Sequence, residues 1–454
     1  MFKYCYIKLN ALFCRIYPKN GIMILNITVK NYRSFKNETT FSLVAEASKT
    51  KEQNVFTQLL AKGDDQVRLL KAAMLFGANA SGKSNLFRAI FEITKFIGKL
   101  KPKAGEPIPI YDPFSFATET KEAPTEFKIE FAGKDNIKYC YQIIFNRINV
   151  ISEVLNYYPN KKETNLFTRS IPSEVNSLVH VGKLGPSQKN KEIEVFHNQA
   201  LLSKFGEEIP NEIITQVYIY ITKIDVINTC NSRQLTQIFN ETRRKMVNDS
   251  NLLDKMNELL RFADTGLNGV NIRERSEDEF KLPVEIPIEI KTQFISDNKY
   301  LMTSRHSLFE NSSIIKDDEP LPFQEESKGT TTIFALGGRL LQALENGDTV
   351  FIDEIETNLH PYLSKLLVCL FQNERINSNN SQLIFTTHNP VLLDKNLFRK
   401  DQVWFTDKNK FGMTDLYSLQ DFSDVREDTP FDKWYLAGKF GGVPNIMSIE
   451  SLFI

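Results

Sequence analysis

Cysteine is scarce in this chain, and no two cysteines are spaced to act together. Five occur among 454 residues, at Cys5, Cys14, Cys140, Cys230 and Cys369, and no C-x-x-C pair is formed. This argues against a disulfide framework or a zinc site and favours reduced thiols in a cytoplasmic setting. Long hydrophobic runs are missing too. No stretch approaches the ~18 apolar residues of a membrane helix, so no membrane partner is expected. Residues 1–22 are rich in aromatics but broken by Lys3, Lys8 and Arg15, so they lack the core of a signal peptide. Residues 1–23 read as an extension, disordered or mis-started, with the fold beginning at Ile24. Excess charge of one sign is also absent: Lys+Arg and Asp+Glu both number 56, for a formal net charge of zero. That balance speaks against a protein coated in nucleic acid, while a local basic face stays compatible with it. No internal repeat is visible.

What is present is concentrated in a few short patterns. Residues 77–84 read Gly77-Ala78-Asn79-Ala80-Ser81-Gly82-Lys83-Ser84, the phosphate-binding pattern G-x-x-x-x-G-K-S. Before it runs Ala72-Ala73-Met74-Leu75-Phe76, apolar like a buried parallel strand; after it Leu86, Ile90 and Ile93 recur at helical spacing. The strand–loop–helix context matters because backbone N–H groups must converge on a phosphate while the helix N-terminus adds its dipole. Gly77 and Gly82 permit the tight backbone, Lys83 neutralises the β- and γ-phosphates, and the Ser84 hydroxyl can ligate Mg²⁺. Asn79, Ala80, Ser81 and Asn85 complete the expected nucleotide-binding set. A bare polar loop between strand and helix is the bland alternative, and the context weighs against it.

The length allows two to three domains. From Ile24 an alternating run, Leu25-Asn26-Ile27-Thr28-Val29, and another at Thr40-Phe41-Ser42-Leu43-Val44 predict strands that precede the phosphate loop, as an antiparallel layer would. Two more strands are expected at residues 126–131 and 139–145, joined through Gly133-Lys134-Asp135-Asn136. Leu252, Leu253, Met256, Leu259 and Leu260 make one helical stripe, and Ile213, Ile214, Val217 and Ile221 another. Strand-like material is expected around residues 284–290. The expected division is residues 24–190 and 301–454 as two halves of one α/β head, with 191–300 an inserted, mainly helical subdomain.

The second half carries two further strand ends. Thr349-Val350-Phe351-Ile352 runs into Asp353-Glu354, and a buried parallel strand delivers its C-terminal neighbours to the ligand edge of an open sheet. Asp353 is placed to hold the Mg²⁺ shell and Glu354 to polarise an attacking water. Gln382-Leu383-Ile384-Phe385-Thr386-Thr387 ends in His388, whose imidazole can sense a γ-phosphate oxygen. The bland readings are an acidic turn and a surface histidine. Arg243-Arg244-Lys245, like Lys99, Lys101 and Lys103, reads as a solvated face sooner than as a nucleic-acid contact. Trp404 and Trp434 read as core or interface residues.

These residues resemble the ABC-type ATPase heads of RecF, SMC and overcoming-lysogenization-defect (OLD) proteins. More narrowly, they resemble the stand-alone bacterial proteins of that branch known as AAA family ATPases. The likeness includes Asn31-Tyr32-Arg33-Ser34-Phe35, residues 77–84, Glu326-Ser327-Lys328-Gly329-Thr330, residues 353–361 and Thr387-His388-Asn389-Pro390. It spans Ile24 to about Pro444, the inserted region in layout only. The resemblance implies an α/β P-loop NTPase head, a mixed sheet with an antiparallel β-layer, that binds ATP and Mg²⁺ and hydrolyses ATP. It implies Ser327, Gly329 and Thr330 as a signature-like loop acting on the partner's nucleotide in a head-to-head homodimer or higher oligomer. Glu326 and Lys328 depart from the usual Leu-Ser-Gly-Gly-Gln, and His360 replaces the usual Asp of the following loop. Ser327 or Thr330 as an ordinary helix cap competes with the signature reading. The resemblance further implies an ATPase and sensor of anti-phage defence that controls a separate nuclease or toxin. A RecF-like DNA-repair ATPase, with nucleic acid as its ligand, is the alternative. An OLD-type nuclease is the third reading, and the chain after His388 offers no Asp-x-Asp for its metal-binding domain.

Overall fold

A computed structural model describes residues 21–60, 65–133, 135–170, 176–180, 192–280, 282–283 and 285–444. Most of the expected extension at residues 1–23 lies outside them. Ile22 and Met23 are buried, and the first described strand is Met23–Lys30, one residue ahead of the expected start at Ile24. The described chain forms two compact units. One comprises Met1–Val226, Leu344–Glu354 and Val368–Ile454; the other comprises Ile227–Ala343 and Ile355–Leu367.

Among the described residues the first unit holds two six-stranded sheets, besides the two-stranded pairs Val55–Leu60 with Asp65–Leu70 and Asn176–His180 with Glu192–Phe196. One is antiparallel throughout, in the order Thr39–Ser42, Met23–Lys30, Thr125–Ala132, Lys138–Phe145, Val150–Tyr158, Thr164–Ser170. Its strands alternate as period-two sequences should: Thr125–Ala132 buries Phe127, Ile129 and Phe131 and turns the residues between them outward. Asn136, at φ 61°, closes the expected turn into Lys138–Phe145. The second sheet runs Thr349–Asp353, Gln382–Thr387, Ala72–Phe76, Val403–Lys408, Thr414–Ser418, parallel except for the last pair, with Asp225–Asn228 on the Thr349 side. Every residue of Ala72–Phe76, Thr349–Asp353 and Gln382–Thr387 is buried, which is why each strand has an apolar centre, Ala72–Phe76, Val350–Ile352 and Leu383–Phe385.

Helix Lys83–Gly98 fills the space beside the parallel sheet. Phe87 meets Phe351 edge to face at 5.3 Å. Ile90, Ile93 and Ile97 join Ile27, Val29, Leu75 and Ile384 in one continuous core. The two sheets are stitched together by Gln382. Its side-chain oxygen accepts the N–H of Ile24 at 2.7 Å and its amide donates to the carbonyls of Ile24 and Leu70. Thr349 adds a hydrogen bond from its hydroxyl to the Ile22 carbonyl, 2.8 Å.

The division between units falls at Ile227, not at residue 191. Helices Leu201–Glu207 and Glu212–Thr222 bury Leu201, Phe205, Val217 and Ile221 in the core of the first unit. The second unit contains helices Ser232–Met246 and Ser250–Phe262, capped by Asn231 and Asp249, and a three-stranded antiparallel sheet of Gly269–Glu274, Tyr300–Glu310 and Ser313–Pro322. Strand around residues 284–290 is not what forms. Val284 lies outside the described residues, and a helix, Ile288–Asn298, begins after Pro287. Proline at an N-terminal boundary suits a helix start, and the alternating Ile288 and Ile290 that mimic a strand are both exposed. Arg243 also departs from expectation. It is buried, with its guanidinium over the rings of Phe239 and Tyr300 and a hydrogen bond to the Tyr300 carbonyl.

Candidate ATP site

Sheet register brings three of the sequence patterns to one edge. Phe76 pairs with Thr387, and Met74 with Phe385, which in turn pairs with Ile352. Gly77, Glu354 and His388 therefore leave the sheet from neighbouring parallel strands at their C-terminal ends, where open α/β sheets bind ligands.

Residues 77–84 form the turn between Ala72–Phe76 and helix Lys83–Gly98. Lys83 is buried, and its ammonium donates to the carbonyls of Gly77 at 2.7 Å and Ala78 at 2.9 Å, which hold the positive charge at the loop. Ala80 sits at φ 64° and Gly82 at φ 118°. The first is strain in a residue with a side chain; at the second, a Cβ would collide with the Thr414 hydroxyl. Ser81 is braced by Thr406, hydroxyl to hydroxyl at 2.6 Å, and its carbonyl accepts from Thr414 at 2.7 Å. Asn85 donates to Ser34 Oγ at 2.8 Å, as does Thr414 at 2.7 Å, so the opening Asn31–Phe35 motif reaches the loop through Ser34. Asn79, Ala80 and Ser84 are exposed.

Ser84 Oγ donates to Asp353 Oδ1 at 3.1 Å across 269 residues of sequence. Thr386 Oγ1 donates to the same oxygen at 2.7 Å and accepts the backbone N–H of Glu354 at 2.8 Å. Burial raises the Asp353 carboxyl above its ordinary value, opposed by the hydrogen bonds from Thr386 and Ser84. A hydroxyl beside a buried carboxylate is an oxygen donor set suited to a hard cation that also takes phosphate oxygens, as Mg²⁺ does. A cation there would offset the burial that disfavours ionised Asp353. Glu354 is half-buried at φ 58°, a left-handed conformation uncommon outside glycine and asparagine. His388 is exposed immediately after its strand.

The signature-like residues belong to the second unit. Ser327 stands at the start of helix Lys328–Asn346: its hydroxyl accepts the Thr330 N–H at 3.0 Å and pairs with the Thr330 hydroxyl at 2.9 Å, the geometry of a helix cap. Gly329 packs near the Asn358 carbonyl, where an added Cβ would lie 3.1 Å away. Glu326 is gripped by His306 Nε2 at 2.8 Å and Ser304 Oγ at 2.5 Å, which accounts for a carboxylate in place of leucine. His360 is exposed, and its Nδ1 accepts the Tyr362 N–H. Trp404 and Trp434 are half-buried, Trp404 against Phe41 and Trp434 under the Lys439 ammonium. Sequence reasoning passed over Thr386, Thr406 and Thr414. Thr386 alone had a signal, two positions before the histidine at the end of a buried strand.

A phosphate loop, a carboxylate strand and a polar strand end at one edge of a mostly parallel sheet define a P-loop ATPase with an α/β head. The chain belongs to the family described as "AAA domain, putative AbiEii toxin, Type IV TA system", which matches residues 72–209 and 231–394. No curated protein sequence matches it. Among solved structures, the SMC head bound to the C-winged helix domain of ScpA is 12% identical over 87% of this chain and 97% of that one, with a TM-score of 0.47. The SMC head domain from Thermotoga maritima is 12% identical over 87% and 98%, TM-score 0.39. The recombination mediator protein RecF with ATP, from the RecFOR pathway, is 11% identical over 88% and 98%, TM-score 0.37.

Proposed function

We propose that this protein is an ATP-driven switch: two copies meet head to head around ATP, and hydrolysis releases them. The observation that carries the reading is the convergence of Lys83, Ser84, Asp353 and Glu354 at one sheet edge. Lys83 and the backbone N–H groups of residues 80–84 bind the β- and γ-phosphates. Ser84 and Asp353 would hold Mg²⁺, which supplies charge neutralisation on the phosphate oxygens when bound. Glu354 orients a water and accepts its proton as the water oxygen bonds to the γ-phosphorus and the bond to the β–γ bridging oxygen breaks. His388 donates a hydrogen bond to the γ-phosphate and so distinguishes tri- from diphosphate. Ser327, Gly329 and Thr330 of one copy complete the anion site of the other.

The family description names a putative toxin of a Type IV TA system, which fits a role in anti-phage defence; the separate effector, a nuclease or toxin that the switch restrains or releases, is part of this proposal and rests on the resemblance alone. The protein acts in the cytoplasm on this reading. Lys83→Ala abolishes ATP binding, whereas Glu354→Gln retains ATP and accumulates the paired form in sedimentation. A Glu354→Gln variant that turns ATP over at the wild-type rate sinks the assignment. An adjacent effector gene supports the defence role, and steeply salt-dependent DNA binding supports the RecF-like alternative.

A further inference from the structure

We infer that residues 431–444 form a strap that positions the phosphate loop from outside, with Tyr435 and Gly442 as positioning residues for ATP binding. The contact is direct. The Gly442 carbonyl accepts the Ala78 N–H at 2.9 Å and the Tyr435 hydroxyl at 2.8 Å. Ala78 N–H is thereby committed to protein, and the peptide between Gly77 and Ala78 is fixed in direction. That peptide and the next carry the two carbonyls that hold the Lys83 ammonium. The series runs from Tyr435 through Gly442 and Ala78 to Lys83, every link a hydrogen bond.

The strap is itself held. Tyr435 is 5% exposed, its ring edge-on to Phe76 at 4.6 Å and stacked on Phe405 at 6.1 Å. Phe76 is the residue before the phosphate loop, so ring and hydroxyl of Tyr435 act on the same turn. Tyr417 donates to the Phe440 carbonyl at 2.6 Å, just ahead of the turn. Gly441 and Gly442 sit at φ 68° and 62°. A Cβ at 441 would lie 2.7 Å from the Tyr417 hydroxyl, and one at 442 would lie 3.2 Å from the Thr406 carbonyl and 3.8 Å from Gly77 Cα. Left-handed backbone together with close approach to the loop admits glycine and little else.

The inference rests on residues 77–84 being the ATP phosphate loop, and the test separates the two. ATP affinity, steady-state kinetics and ligand-free melting are measured on full-length wild type, Tyr435→Phe, Gly442→Ala, Lys439→Ala and Lys83→Ala. Tyr435→Phe deletes one hydroxyl from an intact ring. It raises Kd and KM for ATP by up to about 12-fold, the most that one neutral hydrogen bond supplies, with kcat near wild type and ligand-free Tm lowered by a few degrees at most. Gly442→Ala weakens ATP further, and Lys439→Ala, outside the series, leaves affinity unchanged. If Lys83→Ala keeps wild-type affinity, the phosphate-loop reading fails. If Lys83→Ala loses ATP while Tyr435→Phe binds it like wild type, or loses kcat and Tm together with no change in KM, the strap is overturned.

Discussion

Thr386 ties Asp353 and Glu354 together with one oxygen, donating to the Asp353 carboxylate and accepting the backbone N–H of Glu354. Thr386→Val keeps the shape but leaves that N–H without its acceptor. Outer-shell partners of this kind are worth about 10–100-fold in metal affinity or activity, so kcat falls by that order in a coupled phosphate-release assay. The orphaned N–H also lowers stability by about 1–3 kcal/mol, readable in urea midpoints. At the thiols, burial pushes Cys140 up to about 11, whereas Cys230 and Cys369 are exposed. A raised pKa means less thiolate near neutrality. Maleimide at pH 8 therefore modifies Cys230 and Cys369 in the native protein and reaches Cys140 only after denaturant is added, as peptide mass spectrometry reports.

Between strands Val150–Tyr158 and Thr164–Ser170 lies a fully buried ion pair, Glu153 with Arg169, 3.6 Å apart. Glu153 also accepts the N–H groups of Leu201 and Leu202, which open helix Leu201–Glu207, and the Tyr141 hydroxyl. Removing one partner strands a buried charge and costs about 3–5 kcal/mol. Glu153→Ala shows that loss in chemical denaturation, with the first turn of the helix exchanging amide hydrogens faster. This pair could not be read from sequence, because a strand glutamate and a strand arginine look like outward-facing residues until the register is known. The buried strands at Ala72–Phe76 and Thr349–Asp353 were legible for the opposite reason: covered on both faces, they have unbroken apolar centres, with polar residues only at the ends of Thr349–Asp353. Helix Ile288–Asn298 was misread because exposed isoleucines at alternate positions imitate a strand, and Arg243 because a basic triplet does not say which member faces inward. Residues 77–84 and Asp353 were visible as local patterns, while Thr406, Thr414 and Gly442 reach residues 77–84 across more than 300 residues of chain.

At the scale of the whole chain, charge is balanced at zero net. A chain without net positive charge exerts little long-range attraction on DNA, and each neutralised phosphate contributes about −0.9 to the salt slope. Fluorescence anisotropy with duplex DNA accordingly gives weak binding and a slope shallower than about −3. A slope of −6 or steeper would favour the DNA-repair alternative over an effector switch.

Gln382 has a consequence for how force travels in the first unit. Its amide and the Thr349 hydroxyl moor the antiparallel layer at Ile24 and Ile22 to the beginnings of the strands Gln382–Thr387 and Thr349–Asp353, and the far ends of those two strands carry Thr386 and Asp353. A displacement of the layer would therefore act on the starts of the same two strands whose ends share the Thr386–Asp353 hydrogen bond.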